Sequence, residues 1–127
     1  MRKNGKRGVL IFHPEESVLY EIIAIFEGTN IPTAGFSRCS QALAHMESNR
    51  VGLVISHTGE RAGEFPGLAL LRAAEAKDPQ TFKVIVWGKD ALTAEDCAGI
   101  TMPMQASGPD AIRLMSALLV AMIQNRP

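Results

Sequence analysis

The side chains with the clearest chemical potential in this sequence are two histidines and a glutamate. His13 and His57 each come just after an apolar run, at residues 9–12 and 51–55, and Glu15 lies two residues beyond His13. If both runs are parallel strands, their carboxyl ends meet at one edge of a sheet, and the three side chains converge there. Two imidazoles and a carboxylate suit Zn²⁺ or Ni²⁺. The alternative, which we favour, is a pair of ordinary hydrogen-bonding histidines in a pH-sensitive crevice.

Other catalytic or cofactor motifs are not recognisable in the sequence. Ser56 and His57 are adjacent in a predicted strand and point to opposite faces, which does not suit a nucleophile and its base. The glycines between residues 59 and 67 match neither the dinucleotide fingerprint nor the phosphate-binding loop. Cys39 and Cys97 lack the spacing of a zinc ribbon or a disulfide framework and suit a reducing compartment. We therefore expect a cytoplasmic protein with no enzyme activity, no catalytic residues and no cofactor.

The composition excludes several classes of partner. The 127 residues include 13 Lys and Arg against 13 Asp and Glu, and 46% of the chain is hydrophobic. A neutral, apolar-rich chain of this length suits one folded domain over residues 1–127 and not a disordered or nucleic-acid-binding segment. The only basic cluster lies in residues 1–7, which we interpret as a flexible leader. The longest apolar run, residues 117–123, is too short to span a membrane.

The elements that would position these side chains alternate in type. Apolar runs at residues 9–12, 31–36, 51–55, 84–87 and 100–104 predict five strands, with Pro32 placing the second at an edge. Segments at residues 15–27, 40–47, 68–76, 93–98 and 109–125 predict five helices, with the fourth short and Ser40 capping the second. Repeated strand–helix units predict an α/β, flavodoxin-like (βα)5 three-layer sandwich, with a parallel sheet in the order 2-1-3-4-5.

Several stretches resemble the receiver domain of bacterial two-component response regulators. Residues 34–43 (AGFSRCSQAL) are similar to the family's second strand and the entry to its second helix. Residues 67–72 (GLALLR) are similar to its third helix, and Met102-Pro103-Met104 stands where the family has Lys-Pro and an apolar residue. The resemblance covers nearly the whole chain and implies the same fold and a role in signalling.

The same resemblance implies that the family's chemistry is lost here. Receivers phosphorylate an aspartate after the third strand, with Mg²⁺ held by an acidic pair and the phosphoryl oxygens held by a hydroxyl and a lysine. On this chain the acidic pair falls at His13 and Pro14, the phosphoacceptor at His57 or Ser56, the hydroxyl at Gly88 and the lysine at Met102. Glu15 stands where many receivers have a third acid, but one carboxylate makes a poor Mg²⁺ site. The resemblance therefore implies an atypical receiver, a pseudo-receiver.

The predicted last helix is apolar around most of its circumference. Ile112, Leu119, Val120 and Ile123 extend its apolar face beyond what an amphipathic surface helix needs. The surplus predicts a protein contact, as a homodimer through this helix or with a downstream effector domain. Scattered exposed apolar side chains are the alternative explanation.

Two functions are consistent with these patterns. We expect a phosphorylation-independent, receiver-like signalling domain that regulates transcription or a two-component pathway through protein contacts, without direct contact with nucleic acid or membrane. The alternative is a flavodoxin-like protein that binds a small molecule or a metal in the crevice at His13, Glu15 and His57.

Overall fold

The computed structural model describes residues 7–58, 66–86, 93, 95–101, 104–106, 111–113 and 120–121. The strands are β1 (Gly8–Phe12), β2 (Thr33–Phe36), β3 (Val51–His57), β4 (Phe82–Val86) and β5 (Met104–Ala106). The helices are α1 (Glu16–Ile25), α2 (Cys39–Ser48) and α3 (Pro66–Lys77), and residues 111–113 and 120–121 are also helical. Of the described helices, none has the length and apolar character needed to cross a membrane.

The five strands form one parallel sheet in the predicted order, β2-β1-β3-β4-β5. Both β1 and β3 are buried along their whole length, which explains why their sequences are continuous apolar runs without alternation. The second strand begins directly after Pro32 and lies at the edge of the sheet, as predicted.

Successive strand residues contribute to two apolar cores, one on each face of the sheet. Val9 and Ile11 of β1 belong to the core that includes Ile22 of α1. Leu10, between them in sequence, belongs to the core that includes Leu71 of α3. Because side chains alternate along a strand, a run of consecutive apolar residues can supply both layers of helices at once.

The predicted start of α2 and end of β3 are wrong. Ser40 does not cap α2, because Arg38 is the extended residue before the helix and its carbonyl accepts the first helical bonds, from Gln41 and Ala42. The third strand continues through His57, because its pairing with β4 extends to Val86.

The fifth strand and Arg7, the last residue of the predicted leader, also differ from the prediction, whereas residues 1–6 of the leader lie outside the described residues. The strand lies at Met104–Ala106 and not at residues 100–104, because its pairing with β4 begins at Met104. The described residues 95–99 form turns, in line with a short fourth helix at most. Arg7 does not belong to a solvated leader, because its Nη1 forms an ion pair with Asp78 Oδ2 at 2.7 Å.

Helix α3 fixes the segment that precedes β5. Glu75 accepts hydrogen bonds from the N–H of Thr101 at 2.9 Å and from its hydroxyl at 2.5 Å. It also forms an ion pair at 2.9 Å with the buried ammonium of Lys83. The hydrogen bonds from Thr101, and then that from Lys83, lower the pKa of Glu75 to about 2. Arg72 adds bonds to two carbonyls of residues 96–98, so two α3 side chains hold this segment.

The start of α3 lies directly against the end of β3. A Cβ on Gly67 would be 1.9 Å from the carbonyl oxygen of His57 and 2.6 Å from the Oγ of Ser56. Ser56 Oγ donates to the Gly67 carbonyl at 3.0 Å. Only glycine permits this approach of helix to strand, and the contact fixes the backbone of His57.

We expect Gly67→Ala to lower the free energy of unfolding by about 3 kcal/mol, because the clash is with backbone and cannot be relieved by a rotamer change. Urea unfolding followed by circular dichroism measures the loss. Gly28→Ala is the control: a Cβ there meets nothing within 4 Å, although its φ of +88° costs about 1 kcal/mol. Equal losses in the two variants would contradict the close contact at Gly67.

Candidate functional site

The candidate site lies at the carboxyl edge of the sheet, where β1 and β3 end. His13 directly follows β1, and His57 is the last residue of β3. Their ring centroids are 4.4 Å apart, with the ring planes inclined at 52°. Both are buried, with 5% and 9% of their surfaces exposed. The structure therefore brings together the two predicted histidines.

His13 is held by the beginning of α1. The backbone N–H of Glu15 donates to Nδ1 of His13 at 3.0 Å. Because a ring nitrogen that accepts a hydrogen bond carries no proton, the neutral imidazole has its proton on Nε2. Glu15 is the N-cap residue of α1 and no side chain caps the helix. The imidazole of His13 therefore satisfies a backbone donor at the start of the helix.

The three predicted ligands do not assemble as a metal centre. Among the described residues, no three His, Cys, Asp or Glu side chains converge well enough to hold an ion. Glu15 is exposed, and its bond to His13 comes from the backbone. To bind a metal through Nε2, His13 would have to carry its proton on Nδ1, where it would oppose the N–H of Glu15.

The environment keeps His13 uncharged at neutral pH. Burial, and secondarily the charge of the neighbouring His57, lower the pKa of His13 from 6.5 to about 4. Burial removes the water that stabilises an imidazolium, and a second positive ring nearby adds repulsion. The buried edge of the sheet thus holds a neutral ring where the resemblance implies a metal-binding acid.

Two hydroxyl groups flank His57 in the sequence. Ser56 donates its hydroxyl to Gly67, so α3 and not an imidazole engages it. The N–H of Thr58 donates to the carbonyl of Val86 at 3.2 Å, but its buried Oγ1 has no hydrogen-bond partner among the residues the structure describes. Sequence reasoning missed Thr58, although a hydroxyl next to a buried strand end was an available signal.

The other pocket positions add little to this site. Pro14 is exposed beside His13. Gly88 and Met102 lie outside the described residues. The equivalence of Met102 with the family's lysine rests on the resemblance of Met102-Pro103-Met104 to Lys-Pro and an apolar residue. The strand β5 spans Met104–Ala106, so Met102 precedes it in the sequence.

Two of the four predicted interface residues pack against the core of this chain. Ile112 is only 1% exposed and belongs to the core on the α1 face of the sheet, so its prediction as a contact residue is wrong. Val120 is half-buried and packs against the same core. The sheet needs apolar cover on this face, and these two side chains, from the helical residues 111–113 and 120–121, contribute to it. Leu119 and Ile123 lie outside the described residues.

The fold matches solved receiver domains along nearly the whole chain. The receiver domain protein (CheY-like) from Methanospirillum hungatei JF-1 superposes with a TM-score of 0.72 at 18% identity, over 94% of this chain and 98% of that one. The receiver protein from Sinorhizobium medicae WSM419 gives 0.75 at 16% identity, over 94% and 95%. The chain therefore has the CheY-like fold of response regulator receiver domains.

A longer protein contains the same fold as one part. NtrX from Brucella abortus, solved in complex with ADP, matches with a TM-score of 0.69 at 17% identity, over 94% of this chain and 27% of NtrX. No family model matches this chain, and no curated protein matches it in sequence. Sequence identities of 16% to 18% establish the fold alone, and the chemistry depends on the residues of the site.

We expect the stability of the protein to fall as the pH decreases from 6.5 to 4. The unfolded chain protonates His13 near 6.5 and the folded chain near 4, so acid favours unfolding by up to about 3 kcal/mol. Urea unfolding across this range measures the effect. His13→Asn keeps an acceptor for Glu15 but does not titrate, so its stability should depend less on pH.

His45→Asn is the control for that comparison. Burial and then the charge of Lys77 lower the pKa of His45, so it contributes to the same trend. His45→Asn should remove the smaller contribution of His45 to the pH dependence of stability and leave the contribution of His13. Identical pH dependence in the wild-type protein and His13→Asn would contradict the assignment.

Proposed function

We propose that this chain is a receiver-like signalling domain that works without phosphorylation, through contacts with other proteins. The CheY-like fold supports a role in two-component signalling. The observation that carries the proposal is the buried pair of His13 and His57. These histidines stand where the resemblance places a metal-binding acid and the phosphoacceptor.

The pair lacks what phosphoryl transfer to a receiver requires. Mg²⁺ prefers oxygen ligands, and it must neutralise charge on the transferred group while a carboxylate attacks. A neutral imidazole supplies no anionic oxygen, and the Nδ1 of His13 is already occupied by the N–H of Glu15. The rings also contact each other and are almost fully buried, so they act as packing groups at the end of the sheet.

Contacts with other proteins would carry the signal. In NtrX the matched fold makes up about a quarter of the chain, which supports a receiver fold joined to further regions of one polypeptide. We therefore place this chain upstream of an effector, in the same polypeptide or in a partner, with control of transcription or of a two-component pathway as the outcome.

Self-association through the last helix is the second part of the proposal. Ile112 and Val120 pack toward the core, so the contact would use other positions of the helix. Ala121 is exposed, and Leu119 and Ile123 remain of the four predicted contact residues. A homodimer would bury them.

We expect no Mg²⁺-dependent phosphorylation by acetyl phosphate, because imidazoles stand at both strand ends and, among the described residues, no three His, Cys, Asp or Glu side chains converge to hold an ion. Intact-protein mass spectrometry detects the label, with a receiver domain that acetyl phosphate does label treated in parallel as the positive control. Stoichiometric labelling with Mg²⁺ would contradict the proposal. So would an acid-labile label that His57→Asn removes.

We expect the wild-type chain to sediment as a dimer and Ile123→Asp to weaken dimerisation about a hundredfold, because a charge would be placed in an apolar contact. Sedimentation velocity over a range of concentrations measures this. Ala24→Asp, which introduces the same charge at an exposed position of α1, is the control. A wild-type monomer at every concentration would rule out self-association.

A further inference from the structure

A second cavity lies at the amino-terminal edge of the sheet, at the opposite end of the strands from His13 and His57. It has a volume of about 220 Å³ and lies where α2 and α3 end and β3 begins. Its lining residues are Arg7, Met46, Arg50, Val51, Ala74, Lys77, Asp78 and Thr81. We refer to it as the basic cleft.

Positive charge dominates the lining of the basic cleft. Arg7, Arg50 and Lys77 come from three separate parts of the chain and meet there. Asp78 is the only acid among the lining residues. Its Oδ2 accepts a bond from Arg7 at 2.7 Å, and its Oδ1 accepts one from the N–H of Gln80 at 3.0 Å. Although the chain as a whole is neutral, three basic residues and one acid line this cleft.

Lys77 and Arg7 are held in place while each keeps further N–H donors. Lys77 donates to the carbonyls of Met46 and Asn49, which leaves one of its three N–H groups. In the part of the chain that the structure describes, Arg7 uses one of its five N–H groups, in the bond to Asp78. Donors that are already ordered lose little freedom when they bind a ligand.

We propose that the basic cleft binds a small organic oxyanion. An oxyanion would accept hydrogen bonds from Arg7, Arg50 and Lys77, and the guanidinium fork suits a group with two coplanar oxygens. Met46, Val51 and Ala74 supply an apolar wall for its carbon portion. The volume, about that of seven water molecules, is below the ~300 Å³ of sites for drug-sized ligands. Phosphate monoesters and carboxylates share this chemistry.

The competing explanation is that these cations only serve the fold. Lys77 binds carbonyls at the end of α2, where the helix dipole is negative, and Arg7 pairs with Asp78. That role alone predicts no ligand. However, the charge of Lys77 also contributes to lowering the pKa of His45, so its positive potential reaches beyond the carbonyls it binds.

Titration of the full chain with phenyl phosphate, benzoate and inorganic phosphate, followed by amide NMR shifts, tests the proposal. We expect saturable shifts at residues that line the basic cleft, and tighter binding of an aromatic anion than of inorganic phosphate, because only the former reaches the apolar wall. Arg50→Gln should weaken binding at least about tenfold, since a hydrogen bond to a charged group is lost. Arg38→Gln, an exposed arginine at the other end of α2, should have no effect.

The same titration distinguishes a phosphate monoester from a carboxylate as the ligand. Tighter binding of phenyl phosphate supports a phosphate monoester, and tighter binding of benzoate supports a carboxylate. Absence of saturable shifts up to about 10 mM of every anion, or an equal loss in Arg50→Gln and Arg38→Gln, would overturn the proposal. These outcomes do not depend on whether the chain is phosphorylated, because the basic cleft and the His13–His57 pair lie at opposite edges.

Discussion

The parallel pairing of β1 with β3 is the constraint on which the rest of the structure depends. The register places Ile11 beside Ile55 and Phe12 beside Ser56, so the two strands end together. Both strands lie inside the sheet, and each must supply apolar side chains to a layer of helices on either face. The residues that follow the pairing, His13 and His57, therefore meet at a buried edge whatever their chemistry.

The two edges of this sheet hold different kinds of side chain. At the carboxyl edge, burial favours neutral groups, and the pKa of His13 is lowered accordingly. At the amino-terminal edge, the helices α2 and α3 end with exposed carbonyls that attract cations, and Lys77 is bonded to two of them. Among the described residues, the carboxyl edge thus buries a pair of imidazoles, whereas the amino-terminal edge gathers Arg7, Arg50 and Lys77 around one cleft, which favours an anion site at the amino-terminal edge.

Helix α3 links these regions mechanically. Gly67 fixes its beginning against the end of β3, Glu75 holds the segment before β5, and Lys77 binds the end of α2. The buried Lys83 ties β4 to the same helix through Glu75. A displacement of α3 would therefore affect both edges of the sheet at once.

The sequence by itself determined the class of fold. Apolar runs of four or more residues, separated by helical patterns, leave a doubly covered parallel sheet as the consistent arrangement, and Pro32 marked its edge. The sequence also placed two histidines at neighbouring strand ends, because that inference needs only the strand order. Such local patterns extend over a few residues, so they can be recognised from the order of the amino acids alone.

Only the tertiary structure decided the rest, because it depends on contacts between distant residues. The position of β5 followed from its pairing with β4, and the burial of Ile112 followed from the need to cover the sheet. The lowered pKa of His13 depends on its burial and on His57, which the paired strands bring to a ring-centroid distance of 4.4 Å. The basic cleft joins Arg7 to Lys77, 70 positions along the sequence, and arises only when the strands between them are paired.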